Sequence, residues 1–94
     1  MALIFEWDNR KAKKNIVNHK VSFDEASTIF ADILSSTIYD PLHSSPDEER
    51  LVTIGSSYRG RILVVVHCDR GDAVRIISAR VATRKERKTY EESN

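Results

Sequence analysis

The sequence predicts an α+β domain in which two N-terminal helices pack on a three- to four-stranded antiparallel sheet, with a short C-terminal helix. Apolar residues at helical spacing, introduced by helix-capping residues, occupy the first part of the sequence. β-branched runs separated by turn residues follow them. With 94 residues, of which 40% are hydrophobic and 31% charged, the chain has the composition of one folded domain over residues 1–94.

The N-terminal segment predicts a short edge strand followed by a helix. Residues 5–8, FEWD, supply the strand, and Asp8 is a suitable N-cap. Residues 9–19 then carry basic side chains on one helical face and a weakly apolar stripe on the other. The stripe consists of Ala12, Ile16 and His19.

A second helix is predicted directly afterwards. Ser22 and Glu25 have the spacing of a capping box, in which the serine accepts from the Glu25 N–H and the glutamate reaches back. The apolar stripe of this helix consists of Phe23, Ala26, Ile29 and Phe30.

The rest of the sequence predicts a meander of strands and a closing helix. A short strand over residues 37–40 leads into a loop rich in proline and serine. Glycine-containing turns at residues 59–60 and 70–71 separate the later strands. Thr83 and Glu86 form a second predicted capping box at the start of the closing helix. The three longer strands are predicted over residues 50–58, 61–68 and 73–80.

A tight hairpin at residues 58–61 would pair Tyr58 with Arg61, and a second turn would pair Cys68 with Ala73. Arg61 would then lie opposite Arg80, on a face left half open by the helices. This open face carries Tyr58, Arg61, Arg80 and, at its far end, His67. The opposite face is the predicted core, and it consists of Leu51, Ile62, Val64, Val66, Cys68, Ala73, Ile77 and Ala79. A slip of one residue in register would exchange the two faces.

Charge is distributed unevenly along the chain. Residues 1–49 hold 5 basic and 9 acidic side chains, whereas residues 50–94 hold 10 and 5, which together give the net charge of +1. Eight of the ten basic residues in the second half are arginines. The arginine fork suits phosphate or carboxylate recognition, although a solvated charged face explains the same pattern.

The sequence is typical of a cytoplasmic protein that does not enter a membrane. Its longest apolar run, residues 62–66, is too short to cross a bilayer, and its first residues lack the layout of a signal peptide. Its single cysteine, Cys68, has no partner for an internal disulfide, as expected in a reducing compartment.

Five segments occur in a fixed order over nearly the whole chain: FEWD, NHKVSFDEA, HSSPDEER, IGSSYRGRILVVVH and RIISARVATRKERKTYE. With these segments the sequence resembles the BrnT family of bacterial toxins. The resemblance implies a RelE-like fold and a ribonuclease activity that inhibits translation and growth. At two positions the chain departs from the family: Lys20 replaces a glycine after the first helix, and Cys68 replaces a threonine. Lys20 must either adopt a left-handed conformation or end the helix differently.

The resemblance also implies a partner, a BrnA-like antitoxin with a ribbon-helix-helix DNA-binding part. Such an antitoxin neutralises the toxin, and the expected assembly contains two toxin and two antitoxin chains. The toxin is expected to reach operator DNA only through the antitoxin.

RNA cleavage without a metal requires two proton transfers and stabilisation of charge on the phosphate. Arg61 and Arg80, predicted side by side, are candidates to grip that phosphate, unless each pairs with Glu86 or an aspartate. His67 is a candidate acid or base, or else a hydrogen-bonded structural histidine. Glu86 and Tyr90 share a helix face that can lean toward Arg80, although Tyr90 could equally be the apolar anchor of its helix.

Further basic and aromatic residues are candidates for RNA contact, with a solvated surface as the alternative for the lysines. These candidates are Tyr58, Arg59, Arg75, Arg84, Lys11 and Lys14. The histidines are scattered and give no metal-ligand spacing, so neither a metal nor a cofactor is expected. Two other functions stay open at this point, a binding module without catalysis and an inactive toxin that keeps the family fold.

Overall fold

The protein, in a computed structural model that describes residues 3–92, is built on a five-stranded mixed sheet. The strands are β1 (Ile4–Glu6), β2 (Ser36–Ser45), β3 (Glu48–Ser56), β4 (Ile62–Arg70) and β5 (Ala73–Val81). The helices are α1 (Asn9–His19), α2 (Phe23–Ser27) and α3 (Arg84–Glu92), and a 3₁₀ helix, Thr28–Ala31, extends α2. The sheet order is β1-β5-β4-β3-β2, and α1 and α2 contact β5 on one face.

The α+β class is confirmed, but the sheet is larger and less uniform than the three- to four-stranded antiparallel sheet that we predicted. The short N-terminal strand lies at one edge, as expected, and it pairs in parallel with β5. The other four strands form the antiparallel meander.

The opposite edge strand, β2, continues through the segment that we predicted to be a loop. Its pairing with β3 shifts between Asp40, which lies opposite Arg50, and Ser45, which lies opposite Glu48. Pro41 falls inside this irregular stretch, where it has no N–H to donate. An edge strand tolerates such a residue because its ladder has only one side.

The ends of α1 follow the local sequence signals. Asp8 caps the helix by accepting from the N–H groups of Arg10 at 2.8 Å and Lys11 at 3.2 Å. Lys20 ends it in the left-handed conformation, with φ 59° and ψ 30°, and its N–H bonds the Ile16 carbonyl at 2.9 Å. The chain therefore keeps the helix end at which glycine is favoured, with lysine in its place.

The predicted capping box of α2 is only half formed. The Ser22 hydroxyl accepts from the Glu25 N–H at 3.0 Å, but the Glu25 carboxylate does not return to Ser22. It accepts instead from the Ser57 hydroxyl at 2.7 Å and from the Arg61 guanidinium.

The register of β3 on β4 differs by one residue from our prediction. The Ser57 N–H bonds the Arg61 carbonyl at 2.8 Å, so residues 58–60 form a three-residue loop that ends on Gly60, with φ 79°. Tyr58 therefore does not pair with Arg61. The face of β4 that we predicted to be open is the face that the helices cover.

The prediction that Arg61 lies beside Arg80 is consequently wrong. Arg80 lies opposite Val64 of β4, on the face away from α1 and α2, whereas Arg61 lies on the helix side against Glu25. The turn between β4 and β5 is also tighter than predicted, because Ala73 pairs with Arg70 and not with Cys68.

The hydrophobic core lies between the N-terminal helices and the sheet. Of its strand members, only Ala79 belongs to the face that we predicted to be buried. Phe5 and Trp7 pack against the core. The core cluster consists of Val21, Phe23, Ala26, Ile29, Leu63, Val65, Ile76 and Ala79.

A buried asparagine joins α1 to the sheet. Asn15, which is 6% exposed, donates to the carbonyls of Val21 at 2.9 Å and Ala79 at 2.8 Å. Its side-chain oxygen accepts from the Ala79 N–H at 3.2 Å. Asn15 thus satisfies backbone groups that the core would otherwise leave without partners.

A chain of polar side chains also crosses the covered face. Nε2 of His67 lies 2.8 Å from the Thr53 hydroxyl, and Nδ1 lies 2.9 Å from the Asp69 carboxylate. Burial lowers the pKa of His67, although the hydrogen bond to the Asp69 carboxylate opposes this shift. The order hydroxyl, imidazole, carboxylate is that of a nucleophilic triad, but Thr53 is fully buried, so no substrate reaches its hydroxyl.

No helix within residues 3–92 is long and apolar enough to span a bilayer.

Replacing Asn15 with alanine is expected to lower the free energy of unfolding by about 2–4 kcal/mol, because buried backbone groups lose their partners. Urea denaturation followed by circular dichroism measures the change. Asn18→Ala, on the exposed side of the same helix, is the matched control and should stay within about 0.5 kcal/mol of the wild type. Equal losses in the two variants would contradict the assigned role.

His67 is expected to make the fold less stable as the pH falls. Because its pKa in the folded protein lies below the ordinary 6.5, the unfolded chain takes up a proton first on acidification. The free energy of unfolding should therefore fall below about pH 6.5, by at most about 1.4 kcal/mol per pH unit from this group. Urea denaturation at a series of pH values should show a flatter dependence for His67→Gln, and parallel curves would refute the effect.

Candidate active site

The face of the sheet away from α1 and α2 carries two adjoining depressions. The first, the polar depression, has a volume of about 330 Å³. It is lined by Asp40, His43, Arg50, Val52, Val64, Val66, Ser78 and Arg80. The second, the apolar groove, has a volume of about 570 Å³ and lies between α3 and the sheet. It is lined by Ile33, Leu34, Ser35, Ser36, Ile38, Val52, Ile54, Val64, Lys85, Glu86, Thr89 and Tyr90.

Three strands bring the charged side chains of the polar depression together. Asp40 of β2 pairs directly with Arg50 of β3, and Arg80 of β5 lies opposite Val64 in the strand between. Side chains alternate along each strand, so Asp40, Arg50 and Arg80 all project from the same face. His43, from the irregular part of β2, completes the set.

Asp40 organises the residues that follow it. Its carboxylate accepts from the Leu42 N–H at 3.2 Å and lies 2.7 Å from Nδ1 of His43. Its carbonyl accepts from the Ser44 hydroxyl at 2.6 Å. The hydrogen bond with His43 is the main cause that lowers the pKa of Asp40. The His43 side chain is 68% exposed, so an imidazole oriented by a carboxylate borders the depression.

A carboxylate holds each arginine of the depression in place. Nε of Arg50 donates to Glu48 at 3.0 Å. The two terminal nitrogens of Arg80 donate to the two oxygens of Glu86 at 2.7 and 2.9 Å. The alternative in which Arg80 pairs with Glu86 is thus the observed one.

The pairing with Arg80 sets the ionisation of Glu86. The hydrogen bond from Arg80 is the main cause that lowers the pKa of Glu86 to about 2, against the opposing effect of burial. Glu86 also forms the predicted capping box, since its carboxylate accepts from the Thr83 N–H at 2.9 Å and its N–H bonds the Thr83 hydroxyl at 3.2 Å. Because the pKa of Glu86 is this low and its oxygens already accept hydrogen bonds, Glu86 is suited to orient Arg80 and poorly suited to act as a general base.

Tyr90 connects the far end of α3 to the turn before β2. Its hydroxyl donates to Asp32, and burial is the main cause that raises the pKa of Tyr90 to about 12. Burial also raises the pKa of Asp32, but hydrogen bonds from Tyr90 and from the N–H groups of Ser56 and Leu34 outweigh it and lower the pKa overall. Near neutral pH, Tyr90 is therefore a hydrogen-bond donor.

Arg61 lies outside the polar depression, in a buried cluster around Glu25. Its guanidinium donates to Glu25 and to the Lys20 carbonyl at 3.1 Å, and the Arg61 hydrogen bond is the main cause that lowers the pKa of Glu25. Arg59 approaches the same carboxylate at 3.6 Å. Tyr58 is exposed in the adjoining loop.

The other residues that we singled out from the sequence are dispersed. His67 faces the core, and Arg75 lies within 4.0 Å of Glu6 near the parallel edge of the sheet. Lys11 and Lys14 are exposed on α1, the helix on the covered face. Arg84 is the first residue of α3. Of the eleven predicted site residues, the open face brings together Arg80, Glu86 and Tyr90.

Sequence reasoning did not select Asp40, His43 or Arg50 as site residues. The segment HSSPDEER marked the region, but its proline and serines indicated a loop. The Ser44 hydroxyl replaces the missing ladder there, because it accepts from the Arg50 N–H at 2.8 Å. Within residues 3–92, no three His, Cys, Asp or Glu side chains lie together as a set of metal ligands.

Comparison with known proteins places this architecture in a family. A family model described as "Ribonuclease toxin, BrnT, of type II toxin-antitoxin system" matches residues 7–86. The crystal structure of the Brucella abortus ribonuclease toxin BrnT is similar, with a TM-score of 0.63 and 26% sequence identity over 88% of this chain and 100% of that chain. No curated protein sequence matches. The family match covers most of the chain and agrees with the resemblance in the sequence, so the chain belongs to the BrnT family of ribonuclease toxins of type II toxin-antitoxin systems.

Proposed function

We propose that the chain is a metal-independent endoribonuclease that cuts RNA at the polar depression and thereby inhibits translation and growth. The observation that carries the proposal is the convergence of Arg50, Arg80 and the His43–Asp40 pair on one open face. Two cations for the phosphate and an oriented imidazole for proton transfer are the groups that such a cleavage requires.

Arg80 and Arg50 would bind the scissile phosphate. Each guanidinium carries five N–H donors, of which Glu86 or Glu48 engages only one or two. The remaining donors are available to phosphate oxygens, and the carboxylates fix the planes of the guanidinium groups beforehand. Positive charge from two oriented arginines stabilises the phosphorane, which is the task that a metal performs in other nucleases.

His43 would carry the proton. Asp40 holds Nδ1 of His43, which leaves Nε2 to take the proton from the 2′-hydroxyl as its oxygen attacks phosphorus. The bond from phosphorus to the 5′-oxygen then breaks, and the imidazolium returns the proton to that oxygen. The products are a 2′,3′-cyclic phosphate and a 5′-hydroxyl, and the imidazole ends in its starting state. The ionised Asp40 stabilises the imidazolium in between.

One observation favours a second function, a binding module without catalysis. Both terminal nitrogens of Arg80 already donate to Glu86, so in that reading the pair only fastens α3 to the sheet. The chain would then act by binding the antitoxin and co-repressing the operon.

Membership of a type II toxin-antitoxin system implies an antitoxin partner. We propose a BrnA-like antitoxin with a ribbon-helix-helix part, which neutralises the toxin in a complex of two chains of each kind. Operator DNA is then bound through the antitoxin alone, and the complex is cytoplasmic.

Arg80→Ala is expected to lower the rate of RNA cleavage at least about 100-fold and to abolish growth arrest, because the phosphate loses a two-point contact. Cleavage of labelled RNA in EDTA, with and without ribosomes, measures the rate. Arg80→Lys keeps the positive charge but loses the two-point contact, so its cleavage rate should be intermediate. Arg70→Ala, at the far end of β4, is the matched control. Intact RNA with wild-type protein under all these conditions would support the binding module.

His43→Ala is expected to lower the cleavage rate by about 100-fold while the protein still binds RNA, because only the proton transfer is lost. His19→Ala, at the exposed end of α1, should behave as the wild type. The cleavage rate of Asp40→Asn should lie between the rates of His43→Ala and His19→Ala. An unchanged rate in His43→Ala, or a product with a 3′-hydroxyl, would contradict the assigned chemistry.

A further inference from the structure

The apolar groove exposes large hydrophobic side chains. Ile33 is 96% exposed and Ile38 65% exposed, and Leu34 beside them is half exposed. Of the eleven large hydrophobic side chains that residues 3–92 expose, three line this groove: Ile33, Leu34 and Ile38. Contiguous exposure of this kind marks an interaction surface.

Polar contacts hold α3 above this groove. The helix has no buried residue, and its contacts with the body of the protein include Glu86 to Arg80 near one end and Tyr90 to Asp32 near the other. The aliphatic floor beneath it, which includes Ile38, Ile54 and Val64, stays open over about 570 Å³.

The α3 side of the groove presents one basic side chain, Lys85. Lys88 lies 3.9 Å from Glu92, and Glu86 is occupied by Arg80. Lys85, which lines the groove, has no carboxylate within ion-pair distance among residues 3–92. A basic side chain beside an apolar floor is complementary to a segment that carries both acidic and apolar residues.

We propose that the groove is the docking site of an acidic, amphipathic segment of the antitoxin. Its apolar side chains lie over Ile33, Ile38 and Ile54, and a carboxylate of the segment meets Lys85. This inference rests on the proposed function at one point, the identification of the partner as the antitoxin.

The surface fits a protein segment better than it fits RNA. The floor of the groove is built from aliphatic side chains of Ile38, Val52, Ile54 and Val64, which offer neither stacking planes nor hydrogen bonds to bases. Apolar side chains of a helix or strand fill such a floor and remove it from water.

The position of the groove accounts for inhibition. It shares Val52 and Val64 with the polar depression, and Glu86 at its border holds Arg80 of that depression. A segment seated in the groove therefore lies directly beside the RNA site and excludes the nucleotides that flank the scissile phosphate.

Titration of the antitoxin encoded in the same operon against toxin variants tests the docking site. Ile33→Asp buries a charge under the segment, and Lys85→Glu repels its carboxylates, so each should raise the dissociation constant at least about tenfold. Lys85→Glu should also weaken the dependence of affinity on salt. Val17→Asp changes another exposed apolar side chain, on α1 at the covered face, and this variant should bind as the wild type.

RNA cleavage by the same variants tests the docking site independently of the proposal that the chain is an enzyme. Ile33→Asp should cut RNA at the wild-type rate without antitoxin and should need more antitoxin for inhibition. Unchanged antitoxin affinity in both groove variants, or no binding even by the wild type, would overturn the docking site. Weaker RNA binding with unchanged antitoxin affinity would assign the groove to RNA. If the wild-type chain cuts no RNA but its groove variants bind the antitoxin more weakly, the enzyme proposal would be refuted and the docking site would stand.

Discussion

The loop over residues 58–60 sets the register of β4 and thereby determines which side chains project from each face of the sheet. Gly60 adopts φ 79°, which a three-residue hairpin loop of this kind requires and other residues rarely adopt. Because side chains alternate along a strand, the resulting register sends Leu63 and Val65 into the core and Val64 toward the open face. It also leaves Arg61 beside Glu25, which ties the loop to α2.

Two of the arginine–glutamate pairs, Arg61–Glu25 and Arg80–Glu86, differ in burial, and this difference gives them different roles. Glu25 is 3% exposed at its side chain, so losing Arg61 would leave a buried charge without its main partner, and the pair is structural. The side chains of Arg80 and Glu86 are 42% and 35% exposed. Water screens such a pair, and it contributes little to stability. A phosphate can therefore compete for Arg80 at small cost to the fold.

Signals between neighbouring residues predicted the helix caps, whereas long-range contacts determined the strand register and the residues of the candidate site. The caps at Asp8 and Thr83 depend on neighbouring residues, and both formed as predicted. The register of β4 depends on a loop whose length the sequence alone leaves open between two and three residues. His43 was missed because the Ser44 hydroxyl, and not a regular ladder, keeps β2 together there. One residue of slip was enough to exchange the candidate site residues between the two faces.

The placement of Glu86 links the two proposed ligands of the open face. Glu86 lines the apolar groove, whereas its partner Arg80 lines the polar depression. A segment that packs under α3 would favour the closed Arg80–Glu86 pair, while a phosphate that takes not only the remaining Arg80 donors but also those bonded to Glu86 would favour the open pair. Two ligands that prefer different states of one element weaken each other's binding by the same factor. Neutralisation would then operate through this ion pair as well as through direct obstruction, and RNA would in turn loosen the antitoxin.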